Sequence, residues 1–166
     1  MARLSETFMV KPVLVFGYGN LSRGDDALGP LVLEYLEAEC KLDQIDLLCD
    51  FQLQIEHALD LVGRELIIFV DASVACKASF HFNVLTPIQD LSYTTHAMSP
   101  NALLAVYQSI KAVPPPPSFL LSIQAEKFEL GDDLSAKAQA NLLEACVFAA
   151  QRLEEPSLPL WLDHVC

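Results

Sequence analysis

The sequence predicts an α/β fold, a three-layer α/β/α sandwich around a mostly parallel five-stranded sheet. Short β-rich segments alternate along the chain with segments of helical periodicity, which is the pattern of β-α-β units. In addition, residues 66–70 (LIIFV) are continuously apolar, as expected of a central strand that is buried on both faces. Together these two observations favour helices on both sides of a mainly parallel sheet.

The first half of the chain contains five predicted elements. A strand over residues 13–16 is followed by a helix whose apolar residues recur at helical spacing, namely Leu28, Leu31, Val32, Tyr35 and Leu36. A strand over 44–49 and a helix over 54–62, which ends before Gly63, come next. The central strand over 66–70 is expected to end at Asp71.

The second half adds four elements and a tail. Residues 78–86 alternate between apolar and polar, which predicts an antiparallel or edge strand. Ser99 and Pro100 have the residue types of a helix N-cap and first helical position. Four prolines precede a strand over 119–123 and a helix over 134–153. We expect one domain over 1–166, with a core of about 12–153 and a tail, 154–166, whose Trp161 folds back.

Composition excludes several classes of partner. The formal net charge is −12, whereas nucleic acids and anionic membranes require a basic surface. We expect neither a signal peptide nor a membrane span, since no apolar run approaches the required length. The five cysteines are odd in number and form no C-x-x-C pair, which favours a cytoplasmic protein over a disulfide or zinc framework.

A glycine-rich turn joins the first strand to the first helix at residues 17–29 (GYGNLSRGDDALG). In an open α/β sheet such a turn lies at the carboxyl end of a strand, where ligands bind. A dinucleotide fingerprint is disfavoured because Ser22 takes the place of the third glycine. Asp25 and Asp26 would also repel a pyrophosphate and attract a cation.

Three side chains that ligate metals are expected at the same edge of the sheet. Asp26 follows the first strand, Asp71 the central strand, and His96 lies in a loop before a helix. Two carboxylates and one imidazole suit a borderline divalent metal with open coordination positions, such as nickel, zinc or iron. An oxygen cage for calcium or magnesium would not require His96.

Each of these residues has a simpler interpretation. Asp25 or Asp26 can cap the helix, Asp71 can begin an Asx-turn, and His96 alone would be a surface histidine. Cys76 and His96 could form a Cys-His nucleophile pair, although no thiol-protease, G-x-S-x-G or H-E-x-x-H motif accompanies them. The other three histidines rank lower as ligands: His57, expected to be structural or solvated, His81 and His164.

Three segments in order resemble the [NiFe]-hydrogenase maturation endopeptidases: residues 17–29, 67–72 (IIFVDA) and 95–100 (THAMSP). The resemblance covers about residues 12–150. The segment 50–60 (DFQLQIEHALD) is similar to the branch that serves cytoplasmic NAD-reducing, bidirectional hydrogenases. The resemblance implies the same sandwich fold and an endopeptidase that removes a C-terminal peptide from the hydrogenase large-subunit precursor after nickel insertion.

The resemblance also assigns the site. Nickel carried by the precursor would be contacted by Asp26, Asp71 and His96, so no resident cofactor is expected. Many members have Glu where this chain has Asp26, which shortens the reach by about 1.5 Å, so that Asp25 could share the role. The metal would polarise the carbonyl or activate a water, with Asp50 or Asp71 as the base. Substrate contacts are expected from the turn: Gly17, Gly19, Asn20 and Asp25.

Three alternatives remain open at this point. A hydrolase or aminopeptidase with a resident metal would use the same ligands. A chaperone that recognises nickel insertion without cutting would need the same site. Peptidyl-tRNA hydrolase also begins with a strand and a Gly-x-Gly-Asn turn, but no histidine follows the turn before His57 and the acidity disfavours tRNA.

Overall fold

The structure is a computed structural model that describes residues 10–89 and 98–166. Within these two ranges, five strands form one sheet in the order β2-β1-β3-β5-β4. Their bounds are Val13–Tyr18 (β1), Ile45–Asp50 (β2), Leu66–Ser73 (β3), Phe80–Leu85 (β4) and Ser118–Gln124 (β5). All neighbouring pairs are parallel except β4 and β5, which are antiparallel at the edge. The predicted sheet and its antiparallel edge strand are confirmed.

Helices cover both faces of the sheet, which confirms the three layers. The α-helices are Leu28–Glu39 (α1), Pro100–Lys111 (α2), Ala136–Glu154 (α3) and Leu158–Leu162 (α4). The described part of the chain also forms 3-10 helices at Gly24–Ala27 and Ile55–Leu61. The helices α1 and α3 pack on one face, and α2 packs with the second 3-10 helix on the other.

The two faces separate the core into two clusters, because side chains alternate along each strand. Val13, Val15, Ile68 and Val70 belong to the cluster with α1 and α3. The opposite cluster contains residues of β1 and β3 together with α2: Leu14, Phe16, Ile67, Phe69, Leu103 and Leu104. The sandwich therefore rests on two separate apolar layers.

The strand β3 is longer than its apolar run predicts. Asp71 pairs with Ser122 of β5, and two further pairs continue the ladder to Ser73. The expectation that the strand ends at Asp71 is therefore wrong, as is the alternative that Asp71 begins an Asx-turn. The pairing with β5 fixes the backbone of Asp71 within the sheet.

The start of α2 and the C-terminal tail both agree with the sequence predictions. The Ser99 hydroxyl accepts a hydrogen bond from the N–H of Ala102 at 3.1 Å, and Pro100 is the first residue of α2. In the tail, the buried Trp161 ring packs edge-on against Phe119, with 5.4 Å between ring centroids. The prediction that the tail folds back is confirmed.

Within the two described ranges, no helix is long and apolar enough to cross a membrane.

Candidate active site

Three polar side chains lie at the carboxyl edge of the sheet, on the face that carries α2. Tyr18 ends β1 and is in register with Asp50, the last residue of β2. Gly17 is in register with Val70, so Tyr18 also lies level with Asp71 of β3. Because residues in register on parallel strands share a face, Tyr18, Asp50 and Asp71 project from the same side of the sheet.

The glycine-rich turn after β1 brings Asp26 to this edge. Gly19 has φ of +146°, and a Cβ atom there would lie 2.0 Å from the carbonyl oxygen of Asp26. The N–H of Asn20 donates to Oδ2 of Asp26 at 2.8 Å. The side-chain oxygen of Asn20 accepts from the N–H of Ser22 at 2.8 Å, which closes the turn. Asp26 is therefore held by the turn, and neither Asp25 nor Asp26 caps α1 through its side chain.

Gly17, near the end of β1, allows close packing of the strand against α1. A Cβ atom on Gly17 would lie 2.7 Å from the carbonyl oxygen of Gly29, in the first turn of α1. In the structure Gly17, Gly19 and Asn20 thus shape the loop and hold Asp26. Their predicted contacts with a substrate stay a prediction.

Asp71 lies close to a second negative charge. Burial raises the pKa of Asp71 to about 6, and the negative charge of Asp26 acts in the same direction. Hydrogen bonds from the Tyr18 hydroxyl and the N–H of Ala72 oppose this rise. Burial and the charge of Asp71 raise the pKa of Tyr18 well above its ordinary value, so the hydroxyl keeps its proton and donates to Asp71. Asp26 and Asp71 thus lie at the same edge of the sheet, close enough for the charge of Asp26 to act on Asp71, and their predicted role as metal ligands stays a prediction.

Asp50 is the third acidic residue at the carboxyl edge of the sheet, and with Asp26 and Asp71 it forms what we call the acidic edge. Its Oδ1 accepts from the N–H of Phe51 at 2.7 Å, and its Oδ2 lies 3.1 Å from Nε2 of His57. The predicted part of Asp50 in cleavage stays a prediction, but its position at the edge agrees with it. Sequence reasoning missed Tyr18 and the link from His57 to Asp50. The last position of the first strand is the signal that would have identified Tyr18.

Asp25 is turned away from this edge and fully buried. One carboxylate oxygen, Oδ1, accepts from the N–H of Ser135 at 2.8 Å. The other, Oδ2, accepts from the N–H groups of Glu126 and Lys127 and from the Ser135 hydroxyl, at 2.8, 3.1 and 2.9 Å. Burial alone would raise the pKa of Asp25, but these donors outweigh it and leave that pKa below its ordinary value. The structure does not support a share for Asp25 in metal or substrate contact, because its oxygens are already occupied.

Two further predicted roles concern His96 and Cys76. His96 lies outside the described residues, so its role as a ligand stays a prediction. Cys76 is buried, and its thiol donates to the carbonyl oxygen of Ala78 at 3.2 Å. Burial raises the pKa of this thiol, which disfavours the thiolate that a Cys-His nucleophile would need.

Two carboxylates at one edge of the sheet are chemically suited to bind a cation. Two neighbouring negative charges repel each other, and a cation between Asp26 and Asp71 relieves that repulsion. Among residues 10–89 and 98–166, no three His, Cys, Asp or Glu side chains are grouped so that they could hold a metal ion by themselves. The described residues thus include Asp26 and Asp71, two of the three predicted ligands, and their contact with a metal stays a prediction.

Several solved structures that share this fold are hydrogenase maturation endopeptidases. One is the [NiFe]-hydrogenase maturation protease HycI from Thermococcus kodakarensis, which is 20% identical, with a TM-score of 0.66 over 90% of this chain and 96% of that chain. Another is the maturating endopeptidase HybD from E. coli, 22% identical, with a TM-score of 0.68 over 86% and 91%. A hydrogenase 2 maturation peptidase from a Thaumarchaeota archaeon is 23% identical, with a TM-score of 0.62 over 86% and 98%. No family model and no curated protein matches the sequence.

Proposed function

We propose that this protein is an endopeptidase that removes a C-terminal peptide from the precursor of a [NiFe]-hydrogenase large subunit after nickel insertion. The observation that carries the proposal is that Asp26, held in the turn after β1, and Asp71, in β3, both lie at the carboxyl edge of the sheet. The fold supports it, because solved hydrogenase maturation proteases share that fold over most of the chain.

In this proposal the nickel arrives with the substrate. Asp26 and Asp71, together with His96, contact the nickel of the precursor and thereby place the scissile bond at the edge of the sheet. Carboxylate and imidazole ligands suit nickel, and its charge offsets the repulsion between the two aspartates. A precursor without nickel lacks this anchor, which gives specificity without a resident metal.

The cleavage step needs a base and a polarised carbonyl. Nickel supplies the polarisation or activates a water, and Asp50 or Asp71 accepts the proton. Asp50 retains an exposed fraction of 37% for its side chain and makes one hydrogen bond with each oxygen, so a water can reach it. Asp71 already receives hydrogen bonds from Tyr18 and Ala72.

The surface around the site suits a protein substrate. Large apolar side chains stand exposed just beyond the ends of three neighbouring strands, at Leu21 after β1, Phe51 after β2 and Val74 after β3. Exposed apolar groups around a polar site are typical of a surface that binds another protein. We assign this rim to contact with the precursor, and we place the reaction in the cytoplasm because all five cysteines are free.

The direct test is cleavage of an isolated large-subunit precursor, with and without nickel, followed by mass spectrometry. We expect loss of a C-terminal peptide only from the nickel-loaded precursor. Asp71→Asn removes a ligand worth several kcal/mol and should slow cleavage about 100-fold or more. Asp43→Asn, at an exposed loop position, is the matched control and should cleave at the wild-type rate.

Other outcomes would contradict the proposal. Full processing of the nickel-loaded precursor by His96→Ala would remove His96 from the anchor. Metal that copurifies with the protein, combined with turnover of small peptides, would indicate a hydrolase with a resident metal. Binding of the nickel-loaded precursor without any cleavage would indicate a chaperone that recognises nickel insertion.

A further inference from the structure

His57 is a buried histidine next to the candidate site. Its side chain is 11% exposed, and its ring packs edge-on against Phe16, with 4.7 Å between ring centroids. It is the third residue of the 3-10 helix Ile55–Leu61, which packs on the same face of the sheet as α2. The sequence gives it a structural or solvated role, and the structure shows more specific contacts.

The hydrogen bonds of the ring define its protonation. Nδ1 accepts from the N–H of Gln54 at 2.8 Å, so Nδ1 carries no proton. In a neutral imidazole the proton is then on Nε2, which donates to Oδ2 of Asp50 at 3.1 Å. Both ring nitrogens are therefore used, one toward the backbone of its own helix and the other toward the acidic edge.

Asp50 is oriented from two sides. The N–H of Phe51 donates to Oδ1 and His57 donates to Oδ2. The carbonyl oxygen of Asp50 accepts from the N–H of Gly19 at 3.1 Å, which ties this strand end to the turn that carries Asp26. The carboxylate is thus fixed relative to Asp26 while its side chain remains 37% exposed.

We propose that His57 is a positioning residue that holds the Asp50 carboxylate in the orientation it needs as the base for peptide cleavage, an inference that rests on the function proposed above. No proton passes through His57, because a second proton on Nδ1 would break the bond to Gln54. Capping the 3-10 helix requires only Nδ1, a task that Glu or Gln usually performs. The Nε2 contact to a carboxylate seven residues away is the part that serves the site.

The test compares His57→Leu with His57→Gln in the full chain, acting on the nickel-loaded precursor. Leu removes the donor, whereas the Gln side-chain amide can place an N–H close to the position of Nε2. We expect kcat for His57→Leu to fall about 10–100-fold, the loss typical of removing a hydrogen bond that orients a metal ligand, with little change in KM. His57→Gln should recover most of the rate, and the control His164→Leu, in the exposed tail, should match wild type.

A rate for His57→Leu equal to wild type, or an equal loss in the Leu and Gln variants, would overturn the inference while leaving the proposed function intact. A wild-type protein that leaves the nickel-loaded precursor uncut would instead overturn the proposed function. Nitrogen-15 NMR of the histidine ring gives a readout without activity. It should show the proton on Nε2 and a change of that signal in Asp50→Ala. A proton on Nδ1 would contradict the geometry and the inference with it.

Discussion

Asp25, which is fully buried, and Asp71, which is half-buried, lie near the same end of the sheet, yet their electrostatic environments are opposite. Asp25 receives four hydrogen bonds, three from backbone N–H groups and one from a hydroxyl, and its pKa lies below the ordinary value. Burial and the charge of Asp26 raise the pKa of Asp71 to about 6, and the Tyr18 and Ala72 donors only partly oppose them.

The difference supports the proposal that Asp25 is a structural carboxylate and that Asp71 is available to a ligand. The donors of Asp25 satisfy its charge within the fold, so the residue joins the turn after β1 to the segment that leads into α3. Asp71 is left with a charge that the protein alone does not balance. A carboxylate in that state is stabilised by an external cation, and this is why perturbed groups of this kind mark functional sites.

The largest expected effect is the loss of stability on removing Asp25. Asp25→Ala leaves four buried donors without an acceptor, at about 1–3 kcal/mol each before relaxation, and we expect the free energy of unfolding to fall by about 4 kcal/mol. Denaturant unfolding at pH 7 measures it. The exposed control Asp43→Ala should stay within about 0.5 kcal/mol of wild type. An equally small change for Asp25→Ala would show that the hydrogen bonds of Asp25 do not stabilise the fold.

The pH dependence of the Asp25 contribution follows from the direction of its pKa. Because the folded-state pKa is lowered from 3.8, the ionised group stabilises the fold fully above that pH. The contribution is lost as the pH falls through the folded-state pKa, below 3.8. The stability difference between wild type and Asp25→Ala should therefore shrink only in acid.

Asp71→Asn should change the free energy of unfolding in the opposite direction and stabilise the protein at neutral pH. The folded-state pKa of Asp71 is raised from 3.8 to about 6, so the wild type loses stability as the pH rises through this window. At pH 7.5 the Asn variant should be more stable by up to about 3 kcal/mol, at about 1.4 kcal/mol per pKa unit. The gain should vanish below pH 4, where both side chains are neutral. Unfolding curves at several pH values test this, and destabilisation at pH 7.5 would contradict it.

The smallest expected effect is that of Tyr18→Phe. This change removes the hydroxyl that donates to Asp71 and retains the ring that packs near Phe16. The pKa of Asp71 should therefore rise above about 6, because one of the two hydrogen bonds that lower it is lost. Titration of the Asp71 carboxyl by NMR measures the change. An unchanged or lower pKa would show that Tyr18 does not donate to Asp71.

Short sequence patterns predict most of the helices and strands of this fold. The apolar run of β3, the alternation of β4 and the Ser99-Pro100 start of α2 each appear within a few residues of sequence. The extension of β3 past Asp71 is not local, because it depends on pairing with β5. A run of apolar side chains therefore predicts the middle of a strand better than the residue at which the strand ends.

The site is less predictable from the sequence for the same reason. Asp25 and Asp26 are adjacent and chemically identical, and the donors that separate them stand more than 100 positions later, at Glu126, Lys127 and Ser135. The link from His57 to Asp50 spans only seven residues, but it depends on the packing of a 3-10 helix against the sheet. The sequence shows which acidic residues follow the strands. Which of them binds within the fold and which faces the carboxyl edge of the sheet depends on tertiary contacts.

The measurement that tests the central claim most directly is a carbon-13 NMR titration of the side-chain carboxyl groups in the metal-free protein. Spectra of Asp25→Asn and Asp71→Asn assign the two signals. We predict that Asp71 titrates at about 6 and that Asp25 titrates below 3.8. If both groups titrate together near 3.8, or in the reverse order, the distinction between a structural and a functional carboxylate is wrong.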